Sequence, residues 1–375
     1  MNLSRSIIVI LVLIVCYPSM ALERPDVTFK IFQFPANMIP RIDGQTDDWK
    51  MVPDDYRICG DQLVDDEGNH DTIDAASLDI CVRVGWVQGL NCLYFLYEAY
   101  DDYWDFSLPD LHNDTFEIVV DGDASGGPLI DKGHTEMWTP EQVGAGRAMT
   151  DERISVPDAN WAIHGVHAQN YHIFTPAEGK EWTMVWGVQP WIKELPYANA
   201  AYDYDFRPGE SGKLVLEFWI TPFDYAAPER PDRAVPSVLE ENKIIGLSWA
   251  VLDYDDVKDR NKDGFWNLSR QHKMYGNASH LCAFQLMPLE SRFRKTIEAK
   301  WSFKIIDMHR RLAAFQDQSY GDITSWKWDF GDGATSSQQH PAHAYDKAGS
   351  YTVILDVHGR DGNSRLSKVW EITVK

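Results

Sequence analysis

Residues 93–100, LYFLYEAY, set Leu93, Phe95, Tyr97 and Ala99 against Tyr94, Leu96, Glu98 and Tyr100. A period of two is the mark of a strand laid on a core. TFEIVV at 115–120 repeats it, with Phe116, Ile118 and Val120 on one side. LVLEFWI at 214–220 does so again. Clusters of Gly, Pro, Asp and Asn, such as DGDASGGP at 121–128 and FRPGESG at 206–212, separate the runs. Helical periodicity is scarce and no βαβ rhythm occurs. The expectation is an all-β chain built as a sandwich.

The chain has 375 residues, 44% of them hydrophobic, which supports one large domain and one small one. Its formal net charge of −22 argues against nucleic acid or an anionic membrane as partner, because phosphates are repelled. Neutral ligands and divalent cations remain compatible with it. Fifteen tryptophans are more than a core of this size needs, which hints at surfaces that stack on flat ligands. Residues 1–21 read as a signal peptide: Arg5, then the apolar run SIIVILVLIVC, then Ser19-Met20-Ala21 as cleavage site. That run is too short to span a bilayer, and no later segment is apolar enough. The reading is a secreted or cell-surface protein. Removing the leader leaves Cys59, Cys81, Cys92 and Cys282, enough for two disulfides in three connectivities, or for free buried thiols.

After Pro288 the segment 289–300, containing ESRFRKTIEAK, is locally basic and reads as a linker. Residues 301–375 carry the strands SWKWDF, YTVILDV and VWEITV. The pieces WDFGDG (328–333), HPAHAY (340–345) and GSYTV (349–353) resemble the PKD (polycystic kidney disease) domain family. The resemblance implies a small immunoglobulin-like sandwich that serves as spacer or as contact with other extracellular proteins. Gly331 and Gly333, flanking Asp332, suit a turn that needs permissive backbone.

Residues 37–288, within a domain expected over 22–288, resemble the carbohydrate-binding module family 9 fold. Four pieces in order carry this: IPRIDGQTDDWKMVP (39–53), NCLYFLYEAYDD (91–102), NDTFEIVVDGD (113–123), and GKLVLEFWITPFDY (212–225) followed by IIGLSWAVLDYDD (244–256). A long insert near 122–212 departs from the family. The resemblance implies sugar binding. Pyranose C–H faces pack on indole, and hydroxyls need carboxylates, amides or Arg beside it. The expected contacts are Trp104 and Trp266, with Glu117, Asn113 and Asp114 beside them; Trp161, Trp182, Trp186 and Trp191 are alternates. Where the family sets a Trp close before the D-x-x-E strand, this chain has His112 and Asn113.

The loop LDYDDVKDRNKDGFWNLS matches the first half of an EF-hand loop at Asp259, Asn261, Asp263 and Gly264. Its twelfth position is Arg270, so the bidentate Glu is missing. A looser calcium site completed by Asp253, Asp255 or Asp256 is the expectation, with Asp121 and Asp123 as a weaker second. No nucleophile elbow, H-E-x-x-H or phosphate loop occurs. Glu98, Glu117 and Glu217 are the carboxylates a glycosidase reading requires. His164, His167 and His172 make a weak metal pattern. A non-catalytic sugar-binding protein is the leading reading, associated with polysaccharide binding or breakdown. An adhesion protein without sugar binding is second, and a hydrolase accessory or haem-binding relative is third.

Overall fold

The computed structural model describes residues 22–108, 112–127, 165–187, 189–227, 231–255, 263–294 and 296–372. The chain divides into two compact units between Pro288 and Leu289. Strands dominate both. In chain order the larger unit has β1 (Glu23–Gln33), β2 (Ile58–Cys59), β3 (Val64–Asp65), β4 (Leu78–Val87), β5 (Leu90–Asp101), β6 (Thr115–Asp121), β7 (Gln169–Phe174), β8 (Thr183–Val185), β9 (Ala198–Tyr204), β10 (Gly212–Ile220), β11 (Phe223–Tyr225), β12 (Val235–Pro236), β13 (Ile244–Asp253), β14 (Gly264–Asn267) and β15 (Cys282–Leu286).

The main sheet runs β8-β7-β6-β13-β15-β1-β4-β5-β10-β9. Strand β1 is its hinge. Residues Thr28–Ile31 pair in parallel with β15, and Phe32–Gln33 pair in parallel with β4. The sheet thus folds on itself, and its two halves face each other as a sandwich. The alternating residues of the quoted strands meet there. Phe95 stacks on Phe218 at 4.6 Å, and Tyr97 of one half stacks on Phe116 of the other at 4.6 Å. Phe116, Ile118 and Val120 point into this core together with Tyr171, Ile173, Leu247, Trp249 and Val251. Burial of so much aromatic and branched surface is the main stabilising term.

The outer face of the β5–β10 half is closed by residues 34–56. Phe34 packs edge-on to Trp49 and to Tyr94. Glu217 on β10 lies fully buried beneath this flap. Its carboxylate accepts from the amides of Asp43, Gly44 and Gln45 at 3.1, 2.8 and 3.1 Å, and from Trp49 Nε1 at 2.8 Å. This explains the spacing of IDG and Trp in the sequence. The loop presents its amides only if residue 44 takes φ +80°, and a Cβ there would meet Tyr202 backbone atoms at 2.9 Å.

A disulfide joins Cys59 to Cys81, which stand opposite each other on β2 and β4; Cys92 and Cys282 are free. A Cys81–Cys92 bridge is excluded by register. Cys81 faces Glu98 on β5, well along the strand from Cys92.

The smaller unit has β16 (Trp301–Asp307), β17 (Leu312–Asp317), β18 (Ile323–Asp329), β19 (Thr335–Ser336), β20 (Ala342–Ala344), β21 (Gly349–Gly359) and β22 (Gly362–Ile372). Its sheets are β16-β17-β20 and β19-β18-β21-β22, and Trp301, Phe315, Trp328, Phe330, Val353 and Leu355 fill the space between. Trp326 packs against the edge of this core, on the same side as Trp328 and Phe330. It is half-buried, and its Nε1 donates to Asp317 at 2.7 Å.

Candidate functional site

The back of the β7–β6–β13 sheet decides where polar groups gather. Odd residues of β6 point away from the main core, and register sets their neighbours. Glu117 stands between His172 of β7 and Ala250 of β13. Val119 stands between Asn170 and Ser248, and Thr115 between Phe174 and Leu252. Thr115, Glu117, Asn170, His172 and Ser248 are all buried. Asn170 Nδ2 donates to Glu117 Oε1 at 3.0 Å and reaches the Tyr275 carbonyl at 3.4 Å. Thr115 Oγ1, Asn170 Oδ1, Ser248 Oγ and both ring nitrogens of His172 make no hydrogen bond. Burial holds the His172 pKa down at about 4, with the nearby Lys180 charge adding to it, so the ring is neutral at physiological pH. Buried polar atoms are normally paired, and this many without partners on one patch of sheet is unusual. The patch holds donors, acceptors and a carboxylate away from solvent, beside Val119, Ala250 and Leu252, which pack with Met274, Ala278 and Leu281; these are the group types that pair with sugar hydroxyls.

Two aromatic residues flank this floor through their backbones. The Trp186 amide donates to the Asn170 carbonyl at 3.1 Å, and Tyr275 supplies the carbonyl already named. Trp186 is half-buried, and Tyr275 is 42% exposed.

The expected stacking residues lie elsewhere. Trp104 is buried: its ring stacks on Phe206 at 4.8 Å and 3°, and its Nε1 donates to Gly212 O at 3.0 Å. Trp266 is buried too, stacked on His70 at 5.8 Å. Neither presents a bare face, because both fill the ends of the sandwich. Among the tryptophans whose side chains are described none is exposed; Trp182, Trp186, Trp191, Trp219 and Trp326 are half-buried. Trp161 lies outside the described residues.

Asn113 and Asp114 serve the fold. Asn113 Oδ1 accepts from the Leu108 amide at 3.0 Å and from Lys180 Nζ at 3.3 Å. Asp114 accepts from the amides of Asp105 and Tyr254 at 2.5 and 2.8 Å. Glu117 is the one expected contact that lies on the polar floor.

At the end of β13 a second cluster forms. One carboxylate oxygen from each of Asp101, Asp253 and Asp255 lies within 4.8 Å of the others. Asp253 is 4% exposed, and Oδ1 of Asp253 and Oδ1 of Asp255 have no hydrogen-bond partner. Burial first, and then the neighbouring carboxylates, push Asp101 up to about 7, Asp255 up to about 6 and Asp253 well above the ordinary range. The Trp266 indole beside Asp253 opposes this, although its Nε1 completes no hydrogen bond. An all-carboxylate donor set with orphaned buried oxygens fits a hard cation of the calcium type. Asp101, a residue of β5, was missed in the sequence because it is distant along the chain. Of the expected ligands, Asp253 and Asp255 are in the cluster. Asp263 instead holds His70, with Oδ2 3.2 Å from Nε2. Asp256, Asp259 and Asn261 lie outside the described residues. Asp121 takes the amides of Ser125 and Gly126 at 3.3 and 2.8 Å, so that loop is closed by its own backbone.

The carboxylates of a glycosidase reading are committed elsewhere. Glu98 pairs with Arg83 at 2.5 Å, Glu217 holds the flap, and Glu117 lies on the opposite half of the sheet. Of the three histidines, His167 Nδ1 lies 3.2 Å from the Asp224 carbonyl, His172 is on the floor, and His164 lies outside the described residues.

In the smaller unit Gly331 and Gly333 take φ +81° and +93°, and Asp332 between them bonds His343 Nε2 at 2.7 Å. His343 in turn stacks on Phe330 at 4.2 Å. The PKD domain family model matches this stretch. Residues 308–374 are a PKD domain. Collagenase ColQ1 of Bacillus cereus (strain Q1) is 46% identical over 55 residues, 15% of this chain and 6% of that protein. Pre-pro-metalloprotease PrtV of Vibrio cholerae is 38% identical over 66 residues, 18% of this chain and 7% of that protein. The chain therefore spans less than a tenth of the length of these relatives. Among solved structures, the PKD1 domain of the Vibrio cholerae metalloprotease PrtV is matched over its whole length and 21% of this chain, at 28% identity and a TM-score of 0.20. A carbohydrate binding module family 9 from Caldicellulosiruptor kristjanssonii in complex with cellotriose covers 70% of this chain and 96% of its own, at 13% identity and a TM-score of 0.42. Among the described residues no helix is long and apolar enough to cross a membrane.

Proposed function

We propose that this chain is a non-catalytic carbohydrate-binding protein that acts outside the cell. The sugar is held on the β7–β6–β13 floor, and the PKD domain acts as spacer or contact. One observation carries the reading: the buried, unpartnered polar atoms of Thr115, Asn170, His172 and Ser248 around the Glu117 carboxylate. Glu117 accepts from sugar hydroxyls, Asn170 both donates and accepts, and neutral His172 can do either according to its tautomer. Trp186 and Tyr275 supply the apolar surface. The test is binding of the full chain to an array of neutral oligosaccharides. Asn170→Ala is expected to weaken the interaction at least about tenfold, the worth of one hydrogen bond to a charged or buried partner. Absence of any glycan signal, with capture of a protein instead, favours the adhesion reading.

The proposal includes a calcium-type cation at Asp101, Asp253 and Asp255. Its pH consequence follows from the raised carboxyls. Below about pH 4 they are protonated whether folded or not; between about pH 4 and 7 the folded state keeps protons that the unfolded chain releases. Without metal, stability therefore falls as pH rises through that window. Bound Ca²⁺ removes the repulsion and acts by mass action. Calorimetry in a chelator should show the larger unit melting at a lower temperature at pH 7.5 than at pH 5.5, and excess Ca²⁺ should raise the pH 7.5 value most. Identical curves with and without Ca²⁺ count against the site.

A further inference from the structure

Asp263 stands next to the group formed by Asp101, Asp253 and Asp255 without belonging to it. Its amide donates to the Asp253 carbonyl at 2.8 Å, where β13 and β14 pair Asp253 with Gly264. The two residues are therefore neighbours across the hairpin. After burial, Asp263 is among the charges that raise the Asp253 and Asp255 carboxyls. Yet its own carboxylate is spent on the loop after β3, with Oδ2 3.2 Å from His70 Nε2.

The backbone on both sides of that contact is anchored by other bonds. Asp65 accepts the amides of Glu67, Asn69 and His70 at 3.2, 2.6 and 3.0 Å, and that of Phe265 at 3.1 Å. The His70 ring stacks on Trp266. The Asp263 carbonyl lies 3.1 Å from His70 Nε2 and accepts from Asn69 Nδ2 at 3.4 Å. The Asp263 carboxylate can therefore turn about its own side-chain bonds while the hairpin and the loop stay in place. Little opposes the turn. Side-chain exposure is 39% for His70 and 45% for Asp263. An exposed pair of this kind shifts an equilibrium by less than about fivefold.

We propose that Asp263 is the fourth carboxylate of the cation site and that His70 latches it until a divalent cation binds. This rests on the reading of Asp101, Asp253 and Asp255 as a calcium-type site. Three carboxylates supply at most about six oxygens, and Ca²⁺ takes about six to eight. Asp253 is already 4% exposed and keeps an unpartnered Oδ1, so the centre of the group is built for a charge it must attract. A divalent cation there draws the adjacent Asp263 carboxylate more strongly than a surface imidazole does. The carboxylate turns from His70 Nε2 to the metal, and His70 keeps the Asp263 carbonyl.

The test is calorimetric titration of Ca²⁺ into the metal-free full chain and into Asp263→Asn, His70→Phe and the double variant. Phenylalanine keeps a flat ring against Trp266 and removes the nitrogen. Asp263→Asn should weaken Ca²⁺ binding at least about tenfold, the loss of one charged ligand. His70→Phe should tighten it about two- to fivefold, because the latch no longer competes. In the Asp263→Asn background the same ring change should have no effect, which identifies the carboxylate as the thing competed for. Melting in chelator checks that each variant is folded; if His70→Phe is not, Asp263→Asn decides. An Asp263→Asn protein that binds Ca²⁺ as the original does, or a folded His70→Phe protein that binds it equally or more weakly, overturns the proposal and leaves the three-carboxylate site standing. No Ca²⁺ binding by the original protein overturns both.

Discussion

Glu217→Ala is expected to lower the melting temperature of the larger unit by about 10 °C, the equivalent of about 3–5 kcal/mol in a domain of this size. The substitution removes an acceptor that holds three backbone amides and the Trp49 indole. The Gln45 amide keeps a second acceptor, Asp43 Oδ1 at 3.0 Å, but the amides of Asp43 and Gly44 and the Trp49 indole lose theirs, and each orphaned buried donor costs about 1–3 kcal/mol. The flap relieves that cost by opening, which exposes Phe34, Trp49 and Tyr56, all now buried. Burial raises the Glu217 pKa while Trp49 and the loop amides hold it back, so the site accommodates an ion that is unfavourable elsewhere. Glu217→Gln keeps one carbonyl acceptor and should cost less than half as much. Differential scanning calorimetry with PKD melting as internal reference separates these outcomes. A loss under about 1 kcal/mol for the alanine variant contradicts the account of the flap.

Trp104→Ala should destabilise the larger unit by about 3–5 kcal/mol, the usual cost of emptying a buried aromatic site. The ring lies parallel to Phe206 and closes the end of the sandwich through Gly212 O. Removal leaves a cavity that Phe106, Phe206 and Leu214 cannot fill without strain. At a temperature where the variant remains folded, glycan affinity should be within about twofold of the original protein, because the ring contributes no binding face. Urea denaturation measures the first effect and calorimetric titration the second. Complete loss of sugar binding by a folded Trp104→Ala protein would return the site to the loop after β5.

These two residues show what the sequence did and did not reveal. The strands were legible because alternation over 93–100, 115–120 and 214–220 reflects burial of one face, a local property of the chain. The small domain was legible because WDFGDG, HPAHAY and GSYTV resemble the PKD family, whose turn Gly331 and Gly333 suit. The polar floor was less so. Its polar residues are spread over β6, β7 and β13 and come together only through register; single polar residues in apolar strands are easily taken as solvent-facing. Glu117 was recognised from its motif, but Asn170 and Ser248 carried no signal of their own. The indoles misled for a physical reason. A Trp in a polar stretch looks exposed in sequence, yet Trp104 caps the core from a loop at the end of the sandwich and Trp266 is buried on β14. Asp101 was hidden for a related reason: it is the last residue of an apolar strand, and only the fold brings it to Asp253 and Asp255.

The most direct measurement is isothermal titration of a neutral oligosaccharide into the full chain and into Glu117→Gln. The substitution preserves shape and an acceptor for Asn170 while removing the charge from the floor. The account predicts saturable binding by the original protein and a loss of at least about tenfold in the variant, with melting unchanged or slightly raised. Equal affinity in the two proteins, or no binding in either across a broad panel of neutral glycans, would contradict it.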